Sequence, residues 1–171
     1  PGSHGLRAER THMQYWLDVL LIGVGATLVM DLWALLLKRG FNVASLNFCM
    51  VGRWLCHIPD GQFYHQGIAR SAPKSGECAV GWTAHYVIGV AFALVLTGVP
   101  DWLNAPTLLP ALVFGAITVL IPYLVMQPAL GMGIAAAKTP NPMLARVKSL
   151  ITHLVFGAGL YLSALIVRVV F

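Results

Sequence analysis

Four long apolar runs alternate with more polar connections along the chain, at 15–37, 79–99, 107–127 and 150–170. A helix needs about 20 apolar residues to cross the roughly 30 Å hydrocarbon core of a bilayer. The pattern therefore predicts an all-α integral membrane four-helix bundle. Two long connections, 38–78 and 128–149, would lie on one side of the membrane, and a short link would join the second and third spans on the other.

Prolines interrupt the third run and its end. Pro110 and Pro122 lie inside it and Pro128 follows it, so a kink is expected there. The first long connection is partly helical in this interpretation, because residues 43–57 have the composition of a short amphipathic or re-entrant helix. If this segment folds back beneath the bundle, it covers the polar interior from the loop side.

Composition excludes a soluble domain, since 58% of the residues are hydrophobic, 10% are charged and the mean hydropathy is +0.76. The opening PGSHGLRAERTHM is polar and resembles the remnant of an expression tag. We therefore assign residues 1–12 to a tag remnant and residues 13–171 to a single transmembrane domain.

Basic residues are concentrated in the two long connections, whereas the short link after the second span carries only Asp101. The positive-inside rule then places both connections in the cytoplasm and both termini in the periplasm of a bacterial inner membrane. The net charge of +5 is explained by this topology and by lipid head groups, and no nucleic-acid-binding motif accompanies it. The basic residues concerned are Lys38, Arg39, Arg53, Arg70, Lys74, Lys138, Arg146 and Lys148.

The three cysteines, Cys49, Cys56 and Cys78, all fall in or next to the first connection. An odd number of cysteines in a reducing compartment argues against a disulfide framework.

Two histidines occupy matching positions in the second and fourth spans. The second reads HYVIGVAFAL from His85, and the fourth reads HLVFGAGLYL from His153. A shorter match, LVMDLWA beside LVMQPAL, pairs Asp31 with Gln127. The two matches suggest a duplicated two-helix hairpin whose copies are related by an axis along the membrane normal.

These polar residues lie on stripes of small residues, which are the surfaces where membrane helices approach one another. Their distances from the loop-side helix ends place Asp31, His85 and His153 at a common depth. We therefore predict an interior polar cluster that binds a substrate or protons, whereas Asp18 lies near the opposite membrane interface as a boundary residue. The candidate binding residues are Asp31, His85, Gln127, His153, Arg53 and Tyr161.

Two other interpretations of these side chains remain open. A membrane histidine can serve only as an interhelical contact worth about 1 kcal/mol. Alternatively, a subset could hold a transition metal, or the two membrane histidines could ligate a haem, although the spacing matches no finger, CxxC or HExxH pattern. The candidate metal ligands are His57, His65, Glu77, His85 and His153. Acid–base chemistry is favoured over a bound metal or haem, because ionisable groups at membrane depth are functional candidates by default.

Several longer motifs, taken together, are similar to those of a known protein family. GATLVMDLWALLLKRGFN, VGRWL, GWTAHYVIGVAFA, PTLLPALVFGAITVL, VMQPALGMGIAAAKTPNP and SLITHLVFGAGLYL occur in this order. In this respect the chain, from about Gln14 onward, resembles a bacterial family of small inner-membrane proteins catalogued only as a domain of unknown function. The resemblance implies four spans in a bacterial inner membrane and transfers no activity and no site residues.

Three functions follow from the residues. The first is a small-solute, ion or proton-coupled binding or transport protein, which with four spans is expected to act as a homo-oligomer on an unidentified small ligand. The second is a membrane-embedded enzyme, either acid–base or dependent on a metal or haem, acting on a lipid or quinone-like substrate. The third is a structural or accessory subunit whose polar groups fix helix packing among membrane lipids.

Overall fold

The computed structural model describes residues 12–170, which fold as five helices joined by loops and short turns. Within this range there is no strand, so the predicted all-α class is confirmed. Apart from His12, the predicted tag remnant lies outside the described residues. The helices are α1 (His12–Phe41), α2 (Phe48–His57), α3 (Glu77–Thr97), α4 (Leu108–Ala129) and α5 (Pro142–Val170).

Four of these helices, α1, α3, α4 and α5, are long and apolar enough to cross a membrane. Many of their large apolar side chains point outward; Leu32, Ile117 and Ile166 are each more than half exposed. Outward-facing apolar side chains are stable in lipid and costly in water. The protein is therefore a multi-pass membrane protein with four spans, as the sequence predicts.

The helix ends differ from the predicted spans in two places. Helix α5 begins at Pro142, eight residues before the predicted start, so part of the expected 128–149 loop is helical. Helix α4 continues through its prolines by widening into a π turn at Pro122–Met126. The π turn accommodates the missing N–H of Pro122 within the helix, so α4 continues past Pro122 to Ala129.

Close approach of α1 to its neighbours holds the bundle together. Helix α1 packs against both α3 and α5, and α5 packs in turn against α4. Glycine permits each approach: a Cβ added at Gly89 would overlap the Thr27 hydroxyl, and one added at Gly157 would lie 2.5 Å from the Ala111 carbonyl oxygen. The apolar core between these helices lies toward the end of the bundle opposite the long connections.

Helix α2 lies against the start of α3, on the loop side of the bundle. Its first turn is capped by the Asn47 side chain, which accepts a hydrogen bond from the Cys49 backbone N–H at 3.0 Å and sets the start of the predicted 43–57 helix at Phe48. The backbones of Gly52 and Gly81 meet the facing helices so closely that neither position has room for a Cβ.

A disulfide between Cys49 and Cys78 joins α2 to α3, which corrects the expectation that no disulfide is present. The expectation was wrong because it counted cysteines and inferred the compartment, whereas the glycine contact brings these two thiols together. Cys56 is the free cysteine of the three.

We expect Gly157→Ala to destabilise the bundle by about 1–3 kcal/mol, because the new methyl group would press against the backbone of α4. Gly40→Ala is the matched control, since a Cβ at that position meets nothing within 4 Å. Thermal unfolding in detergent measures both. If the two variants melt at the same temperature, the close α4–α5 contact is absent.

Candidate functional site

The centre of the bundle contains a carboxylate held by two donors. His85 Nε2 lies 2.9 Å from Asp31 Oδ1, and the Tyr86 hydroxyl donates to Asp31 Oδ2 at 2.8 Å. The side chains of Asp31 and His85 are 22% and 10% exposed, respectively. A carboxylate in hydrocarbon is costly unless it is paired, and these two contacts satisfy it. We call Asp31, His85 and Tyr86 the carboxylate triad.

Aromatic side chains surround the imidazole of the triad. The Phe48 ring stacks on His85 with centroids 4.0 Å apart, and Trp82 meets it edge-on at 5.9 Å. Phe48 is the first residue of α2, so the amphipathic helix of the first connection covers the triad from the loop side, as the sequence suggests.

The second membrane histidine has a different partner. His153 Nδ1 lies 2.8 Å from Thr118 Oγ1, and the same hydroxyl donates to the Gly115 carbonyl at 2.7 Å. Because a carbonyl can only accept, the single hydroxyl proton points to Gly115, so His153 Nδ1–H must donate to Thr118. The Nε2 atom of a neutral His153 is then an acceptor.

The two polar sites lie at similar depth. Asp31 is ten residues from the loop-side end of α1, and His153 is eleven from the loop-side start of α5, which is about 15 Å and about 17 Å along the helix, respectively, at 1.5 Å per residue. We call the triad together with Thr118 and His153 the interior layer.

Gln127 does not belong to this layer, which corrects one member of the predicted cluster. It lies two residues before the loop-side end of α4, about 14 Å along the helix from Thr118. It is 5% exposed, and its side-chain oxygen makes no hydrogen bond within the described part of the chain. The proposed equivalence of Asp31 and Gln127 in a duplicated hairpin is therefore not confirmed, because His85 bonds Asp31 whereas His153 bonds Thr118.

Arg53 is likewise outside the layer. Its guanidinium contacts Glu77 through two hydrogen bonds, 2.8 Å from Nε and 2.7 Å from Nη2, and also donates to the Ser71 carbonyl. The hydrogen bond with Glu77 raises the pKa of Arg53. This pair ties α2 to the start of α3. Tyr161 packs against the apolar core two turns beyond His153.

The predicted metal ligands are divided between the loops and the membrane. His57 and His65 meet edge to face in the first connection, with ring centroids 5.3 Å apart. His85 and His153 are in the interior layer, and Glu77 is bound by Arg53. Within residues 12–170, no three His, Cys, Asp or Glu side chains converge to hold a metal. These residues are not brought together as one ligand set.

Sequence reasoning missed three members of the site. Tyr86 follows His85 directly, and adjacent residues on a helix point about 100° apart. A search for residues that share one helix face with His85 therefore leaves Tyr86 out. Thr118 occupies a run in which threonine is unremarkable, and Phe48 comes from a different helix. A histidine followed by tyrosine opposite an intramembrane aspartate would have been the usable signal for Tyr86. Asp18, predicted at the interface, is only 1% exposed.

The interior layer is suited to binding protons or hydrogen-bond donors. Asp31 is a hydrogen-bond acceptor held by two donors, and each imidazole has one ring nitrogen engaged. A solute with an N–H or O–H group could bind the remaining imidazole nitrogens.

A family model described as "Protein of unknown function (DUF2938)" matches residues 20–167, which include both polar sites and the loops between them. The chain belongs to this family. No curated protein and no solved structure matches the chain. The family brings no assigned activity, so the function must be argued from the interior layer.

We expect a double-mutant cycle of Asp31→Asn and His85→Gln to give a coupling energy of about 1–2 kcal/mol, because the two side chains share a hydrogen bond inside the membrane. The control cycle pairs Asp31→Asn with Thr118→Val, which have no direct bond, and should be additive within about 0.5 kcal/mol. Detergent unfolding monitored by circular dichroism supplies the free energies. Equal coupling in the two cycles would contradict the geometry.

Proposed function

We propose that the protein is a proton-coupled binding or transport protein for a small solute, working in the inner membrane of a bacterium. The observation that supports this most is the Asp31–His85 contact, which lies about 15 Å from the loop-side end of α1 and about 12 Å from the loop-side start of α3. Two ionisable side chains in contact at that depth change the local charge when one proton is added or removed. Because four spans are few for a solute pathway, we further propose that it works as a homo-oligomer.

Helix α2 provides the coupling element in this proposal. Phe48 stacks on His85, so the charge state of the imidazole alters the contact that holds the start of α2. The rest of α2 is held by the Arg53–Glu77 pair and the Cys49–Cys78 disulfide. Proton binding at His85 would therefore change the packing of α2, which covers the loop-side entrance to the interior layer.

For orientation, we propose that the long connections face the cytoplasm and the termini the periplasm, since the basic residues concentrate in those connections. The disulfide by itself favours the opposite orientation, because disulfides persist mainly in oxidising compartments. The charge distribution favours the cytoplasm more strongly, since it involves many residues. In this orientation the disulfide is exposed to cellular reductants, and disulfides in such compartments are usually transient.

A second candidate function, a membrane-embedded enzyme, is favoured by the same contact. Asp31 engages Nε2 of His85 and leaves Nδ1 as a base, and an oriented imidazole is a common general base. A lipid or quinone-like molecule reaching the layer from the bilayer would be its substrate. Chemical conversion of a lipid extract by the wild type but not by His85→Gln, followed by mass spectrometry, would favour the enzyme over the carrier.

Cysteine labelling tests the orientation. We expect a membrane-impermeant maleimide to label Cys56 in permeabilised spheroplasts of the expression host and not in intact ones. Mild reduction before labelling should add the two thiols of Cys49 and Cys78. The Cys56→Ser variant controls for background. Labelling of Cys56 in intact spheroplasts would place the connections outside and reverse the proposed orientation.

A pH jump applied to proteoliposomes tests the function. We expect a rapid charge displacement on solid-supported membranes as protons enter the interior layer, and we expect Asp31→Asn and His85→Gln to reduce it to the level of protein-free liposomes. Asp60→Asn is the matched control, because that carboxylate lies in the first connection and pairs with Lys74.

Gel filtration and thermal unfolding first establish that each variant is folded. A folded Asp31→Asn protein with the wild-type displacement would refute proton binding at the layer and leave a structural role for the triad. A displacement lost in all three variants, Asp60→Asn included, would also count against the proposal, since it would not be specific to membrane depth.

A further inference from the structure

A groove of about 520 Å³ lies on the loop side, away from the interior layer, between the two long connections. Tyr64 and His65 of the first connection form one wall, and the segment from Pro128 to Lys138 forms the other. Its lining is mainly apolar, and Lys138 is the lysine or arginine residue among those that line it. We call it the loop groove.

The walls of the loop groove are fixed to each other through the backbone. The His65 N–H donates to the Ala129 carbonyl at 2.9 Å, and the Ile68 N–H donates to the Leu130 carbonyl at 3.1 Å. Gly131 lies so close to the Gln66 backbone that an added Cβ would come within 2.7 Å of it. These backbone contacts therefore fix the two walls relative to each other, so the shape of the groove is defined.

The second wall adopts a backbone that side chains disfavour. Ala135 and Ala136 both have positive φ, at 46° and 58°, next to Gly133 at 76°. Arg146 holds this segment by donating from Nε to the Ala135 carbonyl at 2.8 Å. Non-glycine residues in left-handed conformations occur mostly where the surrounding structure enforces them, often at binding sites.

The charges around the groove favour an anion. Among the described residues that line it, none carries a carboxylate. The acids of the first connection are already paired, Asp60 with Lys74 and Glu77 with Arg53.

The position of the groove favours a lipid over a free anion. It begins at Pro128, where α4 is about to end, so it lies at the level where the span leaves the hydrocarbon. Tyr64 is 77% exposed and Ile134 is 63% exposed, beside Lys138. An exposed tyrosine, an apolar side chain and a lysine together are typical of the lipid head-group region.

We propose that the loop groove binds the head group of an anionic membrane lipid, with Lys138 contacting the phosphate and Ile134 and Pro128 contacting the glycerol and the upper acyl chain. This site is independent of the proton-binding layer. Lipid bound there would bridge the two long connections.

Native mass spectrometry of the full chain, titrated with phosphatidylglycerol or with phosphatidylcholine of the same acyl chains, tests the proposal. We expect tighter binding of phosphatidylglycerol, weakened about fivefold by Lys138→Gln, since one cation near anionic lipid contributes about that factor. Lys138→Arg should retain binding. Lys38→Gln is the matched control, because it removes an exposed cation from the loop-side end of α1.

A second pair of variants tests the groove without changing charge. Ala137→Trp fills it and should abolish the preference for phosphatidylglycerol, whereas Ala79→Trp, at an exposed position near the loop-side start of α3, should not. Equal weakening by Lys38→Gln and Lys138→Gln would overturn the site in favour of diffuse surface charge. Unchanged binding in Ala137→Trp, or displacement of the lipid by millimolar glycerol phosphate, would overturn it as well.

Discussion

The structure depends on the need to solvate one carboxylate inside a bilayer. Asp31 is only 22% exposed among four apolar spans, so donors on a neighbouring helix stabilise its oxygens. His85 and Tyr86 supply them from α3. These contacts require α1 and α3 to lie close together, and glycine at position 89, facing Thr27, makes that approach feasible. The close packing of α1 against α3 therefore also fixes the geometry of the Asp31 site.

Much of the fold follows from residue pattern alone, because bilayer thickness fixes span length and lipid fixes which side chains face outward. This reasoning predicts the four spans, the helix in the first connection and an irregular turn near Pro122. The helix ends were less predictable: α5 begins at Pro142 because the Asn141 side chain caps it, accepting a hydrogen bond from the Leu144 N–H at 3.2 Å, and proline suits the first helical position.

The candidate site was predictable in part. Asp31 and His85 stand out because ionisable groups are rare in apolar runs, and their depth follows from simple counting. Thr118 and Gln127 show that residue spacing and a short sequence match do not identify the partner of His153. The short sequence match favoured Gln127, but the partner of His153 is decided by which residue of α4 faces α5, and that depends on interhelical packing that sequence similarity does not encode. The disulfide was missed for a similar reason, since Cys49 and Cys78 meet through glycines 52 and 81.

The π turn at Pro122–Met126 separates the two sites on α4, with Thr118 on one side and the wall of the loop groove on the other. Such a turn contains one residue more than a regular helical turn. Deleting a single residue there would convert the π turn into an ordinary helical turn and leave the loop-side end of α4 facing nearly the same way relative to Thr118, because five π-helical residues turn about as far as four α-helical ones. This short segment is therefore the place where α4 could lose one residue and still present the same faces to the interior layer and to the loop groove.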